Sequence, residues 1–123
     1  MEFNSSIYVA GHRGMVGSAI HKILLEKGFT NIIVKTSHEL DLMNQRQVHE
    51  FFSGHPIDYV FMAAAKVGGI QANHFNPAEF IYNNTIMQSN VIHEAYLAGV
   101  NKLLFLGSSC IYPKYADQPI KES

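Results

Sequence analysis

Seven residues, Gly11-His12-Arg13-Gly14-Met15-Val16-Gly17, follow the apolar run Ile7 to Ala10 and open an amphipathic stretch. A strand, a glycine turn and a helix in that order suit a phosphate-binding loop. A diphosphate approaches a helix N-terminus where backbone N–H groups point outward and no Cβ stands in the way. Gly11 would then make the tight turn, Gly14 would let the backbone come close to phosphate, and Gly17 would let the helix pack against its strand. The spacing is G-x-x-G-x-x-G, one residue longer in its first gap than the common G-x-G-x-x-G. Further along, Ser108 and Ser109 follow another apolar run. A serine hydroxyl there can donate to a substrate carbonyl while accepting from a neighbouring acid. Cys110, the single cysteine, reads from its type either as a small buried hydrophobe or as a thiol that moves protons at a carbon beside a carbonyl.

These residues need elements to position them, and the periodicity supplies a set. Ile7 to Ala10 reads as a strand, and Met15 to Lys27 as a helix with Val16, Ala19, Ile20, Ile23 and Leu24 on one face and Gly28 ending it. Asn31 to Val34 reads as a second strand. Asp41 can cap a helix from about Leu42 through Phe52, with Val48, Phe51 and Phe52 inward and Gly54-His55-Pro56 at its end. Tyr59 to Ala64 is the third strand. Asn76 before Pro77 starts a long helix to Leu97, followed by Gly99, and Leu103 to Leu106 is the fourth strand. Strands that alternate with helices and are continuously apolar predict a parallel sheet covered on both faces, an α/β doubly wound Rossmann-type fold of about four strands.

Ligands in such folds collect at the carboxyl ends of the strands. Those places hold the glycine loop, Lys35-Thr36-Ser37, Ala64-Ala65-Lys66-Val67-Gly68-Gly69, and Gly107-Ser108-Ser109-Cys110, all rich in small or polar residues. Lys35 stands at the tip of the second strand, where an acid would accept from a ribose diol. With Arg13 it places two cations near the adenosine ribose, which favours NADP over NAD. Glu39, 22 positions beyond Gly17, is the alternative diol acceptor. The candidate cofactor contacts are Gly11, His12, Arg13, Gly14, Met15, Val16, Gly17, Lys35, Asp41, Leu42, Ala64, Leu106 and Gly107.

Composition narrows the classes. The 123 residues are 47% hydrophobic, enough for one core and too few for two ordinary domains. Nine Lys and Arg against ten Asp and Glu leave a net charge of -1, so no basic field draws nucleic acid or anionic lipid. One cysteine excludes an internal disulfide and suits a reducing compartment, and the opening residues lack the basic n-region of a signal peptide; a cytosolic protein is expected. No run is long and apolar enough for a membrane span. The seven histidines hold no i, i+4 pair and no second cysteine completes a zinc set, so no metal is expected. Phe75, Phe80, Tyr82 and Tyr96 fit helix packing better than base stacking, which makes the long helix scaffold.

Three strings, Ala10 to Ala19, Ala63 to Ile70 and Lys102 to Pro113, closely resemble the GDP-L-fucose synthases, a family of the extended short-chain dehydrogenase/reductases. The likeness spans nearly the whole chain. It implies NADPH-dependent conversion of GDP-4-keto-6-deoxy-D-mannose to GDP-L-fucose, by epimerisation at C3 and C5 and reduction at C4, in a homodimer. By resemblance Ser108 is the catalytic serine that holds the C4 oxygen, Cys110 exchanges protons in the epimerisation, and Arg13 lies near the 2'-phosphate. Ser37 stands where family members can carry a second arginine, which leaves Lys35 to compensate. The Tyr-x-x-x-Lys pair of the superfamily does not occur: His12, Ala63, Ile86, Val100, Ala116 and Pro119 stand four residues after the six tyrosines. The chain therefore reads as the cofactor-binding N-terminal portion of such an enzyme, inactive alone. The alternatives are another nucleotide-sugar epimerase or dehydratase, or a non-catalytic nucleotide-binding domain.

Overall fold

A computed structural model describes residues 1–66, 75–107, 112–113 and 115–121. The elements run β1 (Ile7–Ala10), α1 (Met15–Glu26), β2 (Ile32–Ile33), α2 (Gln45–Gly54), β3 (Tyr59–Met62), α3 (Pro77–Leu97) and β4 (Lys102–Phe105). The four strands are parallel, in the order β2-β1-β3-β4. The chain thus steps to one side of β1 for its second strand and to the other side for its third. That reversal opens a crevice between the carboxyl ends of β1 and β3.

Alternation along β1 feeds two cores. Ile7 and Val9 pack with Leu24 of α1 and with Phe29, while Tyr8 and Ala10 pack with Val48, Phe51 and Phe52 of α2 and Val91 and Ala95 of α3. On β3, Val60 and Met62 join the second cluster and Tyr59 and Phe61 lean on the first. Each fully buried aliphatic or aromatic side chain contributes about 1.5–3 kcal/mol, so the sheet's centre dominates stability. Below it, Asp58 stitches the amino ends together: its carboxylate accepts from the Ser6 N–H at 2.8 Å, and its carbonyl accepts from the Asn101 N–H at 2.9 Å. Expected cover on both faces holds for β1. It does not hold for the edge strand β4, where Leu104 and Phe105 are exposed.

The element bounds follow local chemistry. At the end of α1 the Gly28 N–H bonds the Leu25 carbonyl and the Phe29 N–H the Leu24 carbonyl, with Gly28 at φ +86°, which closes the helix one residue before the expected Lys27. Gly99 repeats this arrangement after α3, whose bounds match the sequence reading. The start of α2 differs. Asp41 uses its carboxylate on the Met43 N–H at 3.0 Å, and Asn44 caps the helix instead, accepting from the Gln47 N–H at 3.2 Å. The extra turn lets Leu40 and Leu42 both reach the core.

On α1 the buried residues are Gly17 and Leu24, with Ile20 partly buried. Val16, Ala19 and Ile23 are exposed, so the helix is turned from the expected face. Its rotation is fixed by the contact of Gly17 described below. Strand two shrinks to the pair that registers with Ile7 and Tyr8, strand three ends at Met62, and strand four shifts by one residue to register Lys102 with Tyr59.

A candidate dinucleotide site at the switch of the sheet

The crevice between β1 and β3 holds a cavity of about 420 Å³. Its walls come from the glycine loop (Gly11, Gly14), the segment after β2 (Lys35, Ser37, Leu40 to Met43), the segment after β3 (Ala63 to Lys66), Tyr8 beneath, and Asn83 and Met87 of α3. Three loop segments, the central strand and the long helix therefore converge on one space.

Two glycines are demanded by the backbone itself. Gly11 sits at φ +81°, and a Cβ on it would stand 2.7 Å from the Cα and N of Ala64, so β1's exit can lie against β3's exit only without a side chain. On Gly17 a Cβ would fall 2.1 Å from the Gly11 carbonyl oxygen. That contact, with the loop rather than with the strand, seats the helix. At Gly14 a Cβ would meet only the Gly11 oxygen, at 3.4 Å, so the fold itself does not require glycine there.

The first turn of α1 is open to an anion. Gly14 is its N-cap, no side chain caps it, and no acidic residue stands in the first turn. The Gly14 N–H is used by the Gly11 carbonyl at 2.9 Å, and the first bond inside the helix runs from the Ser18 N–H to the Gly14 carbonyl. Unshared N–H groups and the positive end of the helix dipole then meet at the cavity's mouth. Met15, Val16 and Arg13 are exposed beside it. His12 is half-buried, edge-on to His21 with ring centroids 6.1 Å apart, and its Nδ1 is buried with no hydrogen-bond partner.

The other walls are held by polar bonds. The Lys66 N–H donates to Asn84 Oδ1 at 2.7 Å and Asn84 Nδ2 donates to the Lys66 carbonyl at 3.0 Å. The Lys66 ammonium pairs with Glu79. Asn90 Nδ2 donates to the Leu42 carbonyl at 2.9 Å, so α3 fastens the segments on both sides of the cavity. The long helix is thus part of the site, a correction to its reading as scaffold. Asn83, buried mid-helix, was the available signal, since a polar residue in a packed helix asks for a partner or a ligand.

Of the expected contacts, Gly11, Gly14, Lys35, Asp41, Leu42 and Ala64 line the cavity. Gly17 supports it from behind. Leu106 and Gly107 lie at the end of β4, with the Leu106 N–H 3.4 Å from the Met62 carbonyl, outside this lining. Ser108 and Cys110 lie outside the described residues. Glu39 does not face the cavity as a free acceptor: its carboxylate takes the Thr36 N–H and the Thr36 hydroxyl, both at 2.8 Å.

The profile of the NAD dependent epimerase/dehydratase family matches residues 7–123. The chain belongs to that family. Among relatives of this epimerase/dehydratase chain, GDP-L-fucose synthase 1 of Arabidopsis thaliana is 62% identical over 98% of it, and GDP-L-fucose synthase of Escherichia coli strain K12 is 56% identical over 95%. A solved structure of a GDP-D-glycero-L-gluco-heptose synthase from Campylobacter jejuni, in the presence of NADPH, superposes with a TM-score of 0.94 at 45% identity over 98% of the chain. The chain spans 37%, 36% and 35% of these three proteins' lengths. Among the described residues no helix is long and apolar enough to cross a membrane, and no three His, Cys, Asp or Glu side chains are grouped to hold a metal.

Proposed function

We propose that this chain is the NADP-binding portion, residues 1–123, of a GDP-L-fucose synthase that epimerises GDP-4-keto-6-deoxy-D-mannose at C3 and C5 and reduces it at C4. The observation that carries the reading is the 62% identity to the Arabidopsis enzyme over nearly the full chain. The cavity supports it from an independent side, because a glycine loop, an uncapped helix start and a lysine at the tip of β2 are the donors a phosphorylated dinucleotide needs.

The free amides of Met15 to Gly17 and the helix dipole would hold the diphosphate, and Lys35 with Arg13 would meet the 2'-phosphate. Leu40 and Leu42 supply apolar walls for the adenine. When bound, NADPH supplies the hydride for reduction at C4. Ser108 donates a hydrogen bond to the C4 oxygen, and Cys110 moves protons at the carbons beside that carbonyl, where the ketone makes the C–H acidic. Asp41, Ala64, His12, Leu106 and Gly107 complete the cofactor contacts. The parent enzyme works in the cytosol as a homodimer.

The test has two parts. Titration of the chain with NADPH and NADH, followed by nucleotide fluorescence, should show tighter binding of NADPH; equal or reversed affinities defeat the NADP assignment. NADPH oxidation dependent on the keto sugar should be absent for residues 1–123 and present in the protein that joins them to the remaining two thirds. A second substrate reading, a GDP-heptose synthase, is favoured by the Campylobacter structure but at 45% identity. Preference for a 4-keto heptose over the 6-deoxy hexose would select it.

A further inference from the structure

The turn after β2 contains an acid that ought to oppose NADP. Glu39 is flanked by Ser37 and Leu40, both in the cavity wall, and its charge is felt by Lys35 and His12. An unshared carboxylate at this rim would accept from the ribose diol of NAD and repel the 2'-phosphate of NADP. It is not unshared. Thr36 and Glu39 close a reciprocal box: the Thr36 N–H and hydroxyl donate to Glu39 Oε2 at 2.8 Å each, and the Glu39 N–H returns a bond to the Thr36 carbonyl at 3.1 Å. The Leu40 N–H bonds the same carbonyl at 2.9 Å, so main-chain bonds close the turn beside the clasp.

We propose that the Thr36–Glu39 clasp is the cofactor-selecting device of this chain: it withholds a carboxylate from the adenosine ribose and so leaves Lys35 unopposed at the 2'-phosphate. The inference rests on the NADP-binding reading above. Glu39 behaves as the geometry requires. The Thr36 N–H, then the Thr36 hydroxyl, and then Lys35 and His12 hold its carboxyl below the ordinary 4.5, so it stays charged and satisfied in the clasp. A charged acceptor already filled by two donors has little to gain from a ribose hydroxyl.

Replacing Thr36 by valine keeps the shape, deletes the hydroxyl donor and loosens the acid. In Thr36→Val the ratio of NADPH to NADH affinity should fall at least about fivefold, and in Thr36→Val/Glu39→Gln the ratio should return to within about twofold of the parent, because a neutral amide cannot repel phosphate. A carbon-detected titration of the free chain gives a readout without cofactor: the Glu39 carboxyl should titrate higher in Thr36→Val than in the parent. An unchanged ratio in the single variant, a shift that persists in the double variant, or an unmoved Glu39 titration overturns the clasp. Parent protein that binds neither nucleotide instead sinks the cofactor reading itself, and the clasp with it.

Discussion

The carbonyl oxygen of Gly11 occupies the place where a β-carbon on residue 17 would be, 2.1 Å from it. The phosphate loop is therefore closed on itself, its first glycine pressed on its last. The consequence reaches beyond the loop, because this contact sets the rotation of α1 and with it which side chains reach β1.

Gly17→Ala should accordingly cost about 1–3 kcal/mol or more, since a backbone carbonyl cannot swing aside as a side chain can. Gly14→Ala should behave differently, with a cost below about 1 kcal/mol, because an added Cβ meets only ordinary contact and the residue is an extended N-cap. If the diphosphate sits where proposed, Gly14→Ala should still weaken NADPH binding. Urea unfolding paired with nucleotide titration separates the two: stability lost at residue 17, affinity lost at residue 14. Equal stability losses would mean that the loop is packed otherwise.

That division explains what could be read from the chain and what could not. Gly11 and Gly17 were legible because their demand is local, a few residues apart along the backbone. The rotation of α1 was not, since Val16, Ala19 and Ile23 offer an apolar face as good as the one buried, and only the Gly11 contact decides between them. The start of α2 turned on a competition between Asp41 and Asn44 that depends on burying Leu40 and Leu42. Asn83 and Met87 carry no mark in the sequence for a related reason. Apolar residues run around the whole of α3, leaving Ile81, Tyr82, Ile92 and Tyr96 exposed, so no stripe in the sequence marks the side that faces the cavity.

Tyr8 lies at the floor of the cavity with almost no exposed surface, and burial pushes its phenol above the ordinary 10.0. The folded state holds the proton more tightly than the unfolded chain, so this contribution to stability is complete below pH 10.0 and is lost as pH rises beyond it. Tyrosinate absorbance should show one phenol that fails to ionise until the chain unfolds in alkali, and Tyr8→Phe should remove it while leaving the fold in place. A full complement of tyrosines titrating reversibly in folded protein would contradict this.

The reciprocal bonds between Asn84 and the backbone of Lys66 are the fastening of the segment after β3. Asn84→Leu hands the exposed Lys66 N–H and carbonyl back to water, at about 0.5–1.5 kcal/mol. The loss should be local as well as global: hydrogen exchange at the Lys66 amide should accelerate more than exchange in β1. Uniform acceleration across the sheet would show that the pair supports the fold at large rather than this wall.

Glu94 of α3 is the clearest case of a charge-bearing group held inside the protein, its side chain 5% exposed and its carboxylate 2.8 Å from Nδ1 of His49 on α2. A buried carboxylate gains from a partner chiefly by avoiding the cost of standing alone. His49→Ala removes the partner and should cost about 1–3 kcal/mol, toward the lower end because the imidazole is 60% exposed and its interaction is screened by solvent. Adding Glu94→Leu should restore much of the loss, since an apolar side chain there joins Val91 and Ala95 in the core. A double-mutant cycle in urea reads this out. If the paired variant is as unstable as the sum of its singles, the two residues act independently, and α2 is held to α3 by the apolar cluster alone.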